Sequence, residues 1–486
     1  FSCLKSLMGS KNKVFCLSLF KGFQDHTPEA VAGEGILGMF LGAAHEYDSV
    51  LFRSVTIDDR TDFESALDRA LDKENSLIQL IYHDQEAFSI NASQVPLSPT
   101  SESGLEIGAG DVVVISGGAK GVTNRIVRTL APFKPRIVLL GRTELDPDRA
   151  YGTLRDRRGS TGNTMPRLSN KKRPVVKGQE PEDGASNNQS ELDIARSVSR
   201  LAAMGLKVSY YCCDVADPQK VTQTLAQVEK QFGRIDGIIH GAGIIKDGFM
   251  EFMTPEDFER VVAVKLQGAW NLYYAARDRG LRFFAALSSL VAIQGNVGQV
   301  NYCAANRSLS ALLRSWATSQ KGLVAKALML PPIKGTGMAD SPEVKELMKL
   351  KGLSSAFVHA DDLAQLFCRE LFLGPHQQSW VAPARTFPAV KGTLVEPPLS
   401  EVDDAGHSLN GIRFHDREFP MIGTLDELDL KNGELIAKRT FSQAYDLWIE
   451  DHKPFQFIKH PLVSLSLIHI SEPTRPVGIS RMPSSA

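Results

Sequence analysis

Ser289 and Tyr302 stand thirteen residues apart in Ser289-Leu-Val-Ala-Ile-Gln-Gly-Asn-Val-Gly-Gln-Val-Asn-Tyr302, and Asn306 follows four residues later. A glycine-rich turn at Gly117, Gly118 and Gly121 lies well upstream. These residue types suit the reduction of a carbonyl. A hydroxyl at Ser289 can hold the carbonyl oxygen, the Tyr302 phenol can give that oxygen a proton, and the turn can hold a dinucleotide that supplies hydride. A phenol is a poor acid unless a nearby positive charge favours the phenolate it leaves behind. Tyr302 has no lysine four residues on, since Asn306 takes that place; Lys265, within Val261-Val-Ala-Val-Lys-Leu266, is an ammonium in an apolar setting. Helical periodicity alone reads such a lysine as snorkelling to solvent. The Ser-Tyr spacing reverses that reading, because the site needs one lysine.

The elements that must position these groups alternate in type. A strand at 111–115 runs into Ser116-Gly-Gly-Ala-Lys-Gly-Val-Thr123 and a helix to about residue 130. Such a turn lets backbone N–H groups and the helix start approach a pyrophosphate without side-chain obstruction. Lys120 within the turn either helps the same phosphate or is solvated. Arg142 directly follows the second strand, 136–140. An acidic residue there would bond the free ribose hydroxyl of NAD, whereas arginine suits the phosphate of NADP, so NADPH is the expected cofactor. Asp214 and Val215 end the third strand, 207–213, where a carboxylate either accepts the adenine amino group or caps the next helix. Gly241, Ala242 and Gly243 follow the fourth strand, 237–240, and are small enough to lie against the nicotinamide ribose. His240 just before them is given no part in proton transfer.

Helices at 191–204, 218–232 and 255–279, a strand at 283–287, the Tyr302 helix and a strand at 325–330 complete a doubly wound parallel α/β sheet, with ligands at the carboxyl ends of its strands. Ahead of it, strands at 14–19, 50–57 and 77–82 alternate with helices at 34–45 and 62–72, and a Pro/Ser/Glu/Gly-rich passage at 95–110 marks a boundary. Residues 146–190 are polar and aperiodic, which predicts a surface insertion. Beyond about residue 390 a linker leads to a different pattern.

With 486 residues, 43% of them hydrophobic, the chain can bury two or three cores. A formal net charge of -1 gives no overall attraction for nucleic acid or an anionic membrane. The six cysteines form no CxxC pair, which argues against a disulfide framework and a structural zinc site and makes a reducing cytoplasm the expected setting. No metal is called for. No apolar run approaches the ~20 residues of a membrane span. The chain starts without Met and in mid-pattern, so we expect a piece of a longer protein.

In Ser116–Thr123, Leu140-Gly-Arg142, Cys213-Asp-Val215, His240-Gly-Ala-Gly243, Val264-Lys265-Leu-Gln-Gly268, Leu287-Ser-Ser289 and Gly298-Gln-Val-Asn-Tyr-Cys-Ala-Ala-Asn306, the chain resembles the short-chain dehydrogenase/reductase superfamily. Within it, the resemblance is to the ketoreductase domains of polyketide and polyunsaturated fatty acid synthases, over about residues 111–374. It implies a Rossmann fold of that type, with Ser289 orienting a ketone, Tyr302 protonating it, and Lys265 with Asn306 supporting Tyr302. The implied reaction is NADPH-dependent reduction of a 3-ketoacyl thioester carried on the phosphopantetheine arm of an acyl carrier protein. Other domains of the same synthase would be partners.

Asp247 and Asn301 match the pattern for a D-3-hydroxy product, although Lys246 stands where a paired aspartate is usual. Pro331-Pro-Ile-Lys-Gly-Thr-Gly-Met338 resembles the start of an active-site lid. The resemblance also implies a cofactor-free Rossmann-like half, with its beginning missing, at 1–105, around Gly33-Glu-Gly-Ile-Leu-Gly38 and His45-Glu46. The catalytic ketoreductase would occupy 106–390 and a linker 391–412. Residues 413–464, with Asp451-His452 and Pro461, resemble the opening of a hot-dog dehydratase, in which His452 would be the base of an intact parent. Residues 465–486 read as an artefactual or disordered tail. Two competing readings are a free-standing reductase of a small ketone and a noncatalytic docking segment.

Overall fold

The computed structural model describes residues 1–8, 15–21, 28–47, 50–71, 77–83, 86–88, 105–145, 184–335, 357–374, 379–382, 424–429 and 434–438. It divides into two units, Phe1–Val395 and Glu396–Ala486.

The first unit opens with helix α1 (Ser2–Met8), strand β1 (Phe15–Lys21), helix α2 (Pro28–Ala43), strand β2 (Leu51–Ile57), helix α3 (Phe63–Leu71) and strands β3 (Gln79–His83) and β4 (Glu86–Phe88). β1, β2 and β3 are parallel, in that order. The alternation of short apolar runs with helices predicts this arrangement; β4, which folds back antiparallel on β3, was not anticipated. α2 begins six residues before the expected start, at Pro28, whose missing N–H costs nothing at a first helical position.

The second sheet contains β5 (Val112–Ser116), β6 (Arg136–Gly141), β7 (Lys207–Cys212), β8 (Gly237–His240), β9 (Phe283–Ser289), β10 (Val324–Leu330) and β13 (Trp380–Val381), in the spatial order β13-β10-β9-β8-β5-β6-β7. All its described pairings are parallel. β5 and β6 are near-continuous runs of Val, Ile and Leu, as expected where both faces are covered, and β10 carries one charge within its run, the buried Lys326. On one face α4 (Gly121–Thr129), α5 (Gly184–Ala203) and α11 (Ala360–Leu373) enclose a core containing Ile126, Leu201 and Phe367. On the other, α6 (Pro218–Phe232), α8 (Gly268–Ala276) and α10 (Val300–Ser319) enclose Leu225, Leu272 and Leu312. The order reverses between β5 and β8, and this switch point is where such sheets open a ligand crevice at the strands' carboxyl ends.

Two expectations need correction. α5 starts at Gly184 rather than 191, so the predicted insertion is partly helix; the polar run 184–190 has no apolar stripe to announce it. The expected continuous helix 255–279 is α7 (Pro255–Val262), a π-turn at Ala263–Gln267, α8 and a 3-10 turn at Arg277–Arg279. A short pair, β11 (Ile333–Lys334) and β12 (Val358–His359), follows β10; the rest of the predicted lid, the linker, and nearly all of 413–464 with His452 lie outside the described residues. In the second unit the described residues form one antiparallel hairpin, β14 (Thr424–Asp429) with β15 (Glu434–Lys438).

Candidate active site

The turn after β5 combines two closely packed glycines with a third that faces open space. Gly117 has φ +72°, and a Cβ there would stand 2.9 Å from the backbone of Gly241 and Ala242, so the two glycine segments lie directly against each other. A Cβ on Gly118 would meet Leu139 at 2.7 Å. Gly121, φ +63°, has nothing within 4 Å of that position, so the start of α4 is open. Its first turn has no acidic residue and no side-chain cap, which leaves N–H donors for an anion. A dinucleotide phosphate fits this cradle.

The other predicted cofactor residues divide. Arg142 is exposed at the end of β6 and makes no ion pair among the described residues. Lys120 does not face the turn: its ammonium lies 3.7 Å from Asp193 and 3.4 Å from the Ser190 hydroxyl on α5. The Asp214 carboxylate accepts from Ala216 N at 3.0 Å, and the cap of α6 is instead Asp217, which accepts from Gln219 N and Lys220 N. The Asp217-Pro218 pair is a helix-start signal that identifies this cap from sequence. Val215 is buried, and its carbonyl accepts from Asn271 Nδ2 at 2.9 Å.

Tyr302 lies in the first turn of α10, and Ser289 ends β9; both are partly exposed. Lys265 sits in the π-turn, only 4% exposed, with its Nζ 5.6 Å from the centre of the Tyr302 ring. The ammonium donates to the Leu287 carbonyl at 2.7 Å. Burial lowers its pKa to about 8. Burial pushes the Tyr302 phenol up to about 12, an effect that Asn306 counters and the Asp247 charge reinforces. Asn306 is fully buried and donates to the Tyr302 backbone carbonyl at 2.8 Å, while its Oδ1 has no hydrogen-bond partner among the described residues. The Ser289 hydroxyl oxygen receives only a long contact from Val291 N, 3.5 Å. Thus the structure brings Ser289, Tyr302, Lys265 and Asn306 to one end of the sheet, beside Gly241–Gly243; a Cβ on Gly243 would stand 3.0 Å from the Lys265 side chain.

Two groups outside the predicted set hold Lys265 in place. His240 Nε2 donates to the Lys265 carbonyl at 3.1 Å, which fixes the tautomer, so Nδ1 accepts from the Ser116 hydroxyl at 2.7 Å. That hydroxyl oxygen in turn accepts from Ala242 N at 3.3 Å. This chain of bonds links the nucleotide turn to the π-turn, an irregularity common at functional sites. Burial, and then the Lys265 charge, hold His240 neutral with a pKa of about 3. Its role is therefore positional.

Two loops border the Tyr302 end. Asn301, fully buried, donates from Nδ2 to the Lys246 carbonyl at 2.8 Å and accepts from Tyr302 N at 2.7 Å. Gln299 donates to Asp247 at 2.6 Å, and Gly248 N donates to the Gly298 carbonyl at 2.8 Å. The Lys246 ammonium pairs with Asp257 at 3.3 Å.

Residues 111–335 match the family model of the KR domain. A polyunsaturated fatty acid synthase chain of a Thraustochytrium species is 28% identical over 261 residues, 51% of this chain and 9% of that one. Polyketide synthase GfsE of Streptomyces halstedii is 43% identical over 112 residues, 23% of this chain and 3% of that one. A phenolphthiocerol synthesis polyketide synthase of Mycobacterium tuberculosis, 39% identical over 124 residues, covering 25% of this chain and 8% of its own, carries the word inactive in its name. The chain thus spans less than a tenth of each relative's length. Among solved structures, a ketoreductase domain from the bacillaene assembly line superposes with a TM-score of 0.58 at 22% identity, over 78% of this chain and 80% of that one, a likeness in fold. Residues 111–335 are thus similar to the KR domain, the relatives they match are polyketide and polyunsaturated fatty acid synthases, and the fold resembles that of a solved ketoreductase domain.

Proposed function

We propose that the chain reduces a 3-ketoacyl thioester, carried on the phosphopantetheine arm of an acyl carrier protein, to the 3-hydroxyacyl thioester with NADPH. The observation that carries this reading is the buried Lys265 ammonium facing the Tyr302 ring at 5.6 Å, beside Gly243. Gly117, Gly118, Gly121 and Gly241–Gly243 would hold the dinucleotide, and exposed Arg142 would meet the additional phosphate of NADPH. When bound, NADPH supplies hydride to the keto carbon.

The protein's residues handle the oxygen. The Ser289 hydroxyl donates a hydrogen bond to it and so aligns the carbonyl. As negative charge develops there, the Tyr302 O–H bond breaks and its proton forms the new hydroxyl. The Lys265 ammonium stabilises the phenolate left on Tyr302. Asn306 holds the first turn of α10 through the Tyr302 carbonyl. Solvent returns a proton to Tyr302. Residues 1–105 act as a structural half, and other domains of one synthase would supply and consume the acyl chain.

The test is to supply the 486-residue chain with a 3-ketoacyl group on a phosphopantetheinylated carrier protein and follow NADPH oxidation, with NADH and a free ketone as comparisons. We expect turnover with NADPH and preference for the carrier-bound substrate. Absence of NADPH oxidation on any ketone, with the chain folded, contradicts the proposal.

A further inference from the structure

The dipeptide His45-Glu46, just past the end of α2, reaches the borders of the Tyr302 site some 250 residues away in sequence. One Glu46 carboxylate oxygen accepts from Met250 N at 2.7 Å and the other from Gly298 N at 2.9 Å. His45 Nε2 bonds the Gln294 carbonyl at 2.8 Å, and because a carbonyl only accepts, the ring is the donor. Those three partners belong to three different segments. Gln294 ends the short helix α9 (Val291–Gln294) that follows Ser289, Gly298 lies in the loop that leads into Tyr302, and Met250 lies in the loop after β8. Between α9 and that loop, a Cβ on Gly295 would collide with the Leu41 carbonyl and stand 2.9 Å from His45, so the chain there is pressed onto the end of α2.

We infer that Glu46, with His45, is a positioning and specificity-determining pair for the ketone site, a clamp that sets the spacing of the Ser289, Tyr302 and 244–250 segments. This rests on the proposed reductase reading. Without Glu46, the two loops keep only the Gly248–Gly298, Gln299–Asp247 and Asn301–Lys246 bonds to each other and lose their shared anchor. A charge-assisted acceptor on two backbone N–H groups is among the stronger ways to fix a loop. Hydride and proton must reach opposite ends of one carbonyl in a defined orientation, so loosened borders admit the ketone in more than one pose.

The experiment compares E46A, E46D and H45A in the full chain, with E64A as a control, since Glu64 is an exposed carboxylate on α3. Two readouts are taken. The first is amide hydrogen exchange at Met250 and Gly298. In E46A we expect both to exchange at least about tenfold faster while β10 keeps its protection. The second uses the N-acetylcysteamine thioester of a 3-ketoacid with NADPH. In E46A we expect KM to rise about tenfold with a smaller change in kcat, the ratio of hydroxy enantiomers to fall, and NADPH affinity to stay within about twofold. H45A moves both readouts the same way by less, E46D restores part of the effect, and E64A changes neither.

Unchanged exchange at Met250 and Gly298 overturns the clamp. So does faster exchange with an unchanged enantiomer ratio and KM. A wild-type chain that reduces no thioester contradicts the reductase reading on which the specificity role rests, and the exchange comparison then decides the clamp by itself.

Discussion

The regions before and after residue 105 use glycine in different ways. In the first region Gly35, Gly38 and Gly42 lie along α2 at helical spacing, and each is pressed onto the Tyr302 helix: a Cβ on Gly38 would stand 2.7 Å from the Cys303 carbonyl, and one on Gly42 3.0 Å from Val300. In the second region Gly117 and Gly118 are pressed onto the Gly241–Ala242 backbone and the Leu139 and Ile115 side chains, while Gly121, at the start of α4, faces open space. The chain between β1 and α2 has one glycine, Gly22. The difference teaches that a glycine's position in its element decides its function. At the start of α4 it leaves open space; within a helix it allows a second helix to approach. The first region thereby packs its helix α2 along α10, the helix that carries Tyr302.

Breaking that contact has the largest expected effect. Glu34 on α2 pairs with Arg307 at 2.5 Å and Arg314 at 2.9 Å on α10, and Arg307 is 1% exposed. Burial alone would raise the Glu34 carboxyl; the two guanidiniums outweigh it and hold it below its ordinary value. E34A leaves a buried guanidinium without its carboxylate and should cost about 3–5 kcal/mol in urea unfolding.

Lys265 tests the other side of the comparison, where function places a charge at the expense of stability. Its folded pKa, about 8, lies below the ordinary 10.5, so between those values the unfolded chain binds more protons and stability rises with pH. At pH 7 the full penalty is present. K265M should therefore raise stability at pH 7 by up to about 3 kcal/mol, the gain shrinking as pH rises from 8 to 10.5, while reduction is lost. A melt series across that range checks the sign.

Glycine substitutions give the smaller effects and sharpen the contrast. G38L overpacks the α2–α10 contact and should cost about 1–3 kcal/mol with little direct effect on nucleotide binding in the folded fraction. G121L meets open space, so the strain of its positive φ costs only about 1 kcal/mol. NADPH affinity should nevertheless fall at least about tenfold, because the side chain fills the cradle. Parallel melts and fluorescence titrations separate the two.

Much of this was legible in the sequence for local reasons. The apolar runs of β5 and β6 predict a parallel sheet covered on both faces, and helix α6 starts and stops at the expected residues, between Asp217-Pro218 and Gly233. Lys265 stands out because an ammonium among valines needs a reason. The π-turn around it was not visible, and neither was the His240 ring that bonds the Lys265 carbonyl from 25 residues away. Glu46 and Glu34 were equally silent: their partners lie more than 200 residues away, and a carboxylate after or within a helix reads locally as solvated surface. The contact of Lys120 with Asp193 was silent as well, because its partner follows a long polar segment.

The central claim is that the Tyr302 phenol delivers the proton. The most direct measurement is single-turnover reduction of a 3-ketoacyl thioester by Tyr302→Phe, beside an NADPH titration of the same protein. Retained NADPH affinity with a rate lowered about 10²- to 10⁴-fold is the predicted result. A Tyr302→Phe chain that binds NADPH and reduces the thioester at the wild-type rate would contradict it.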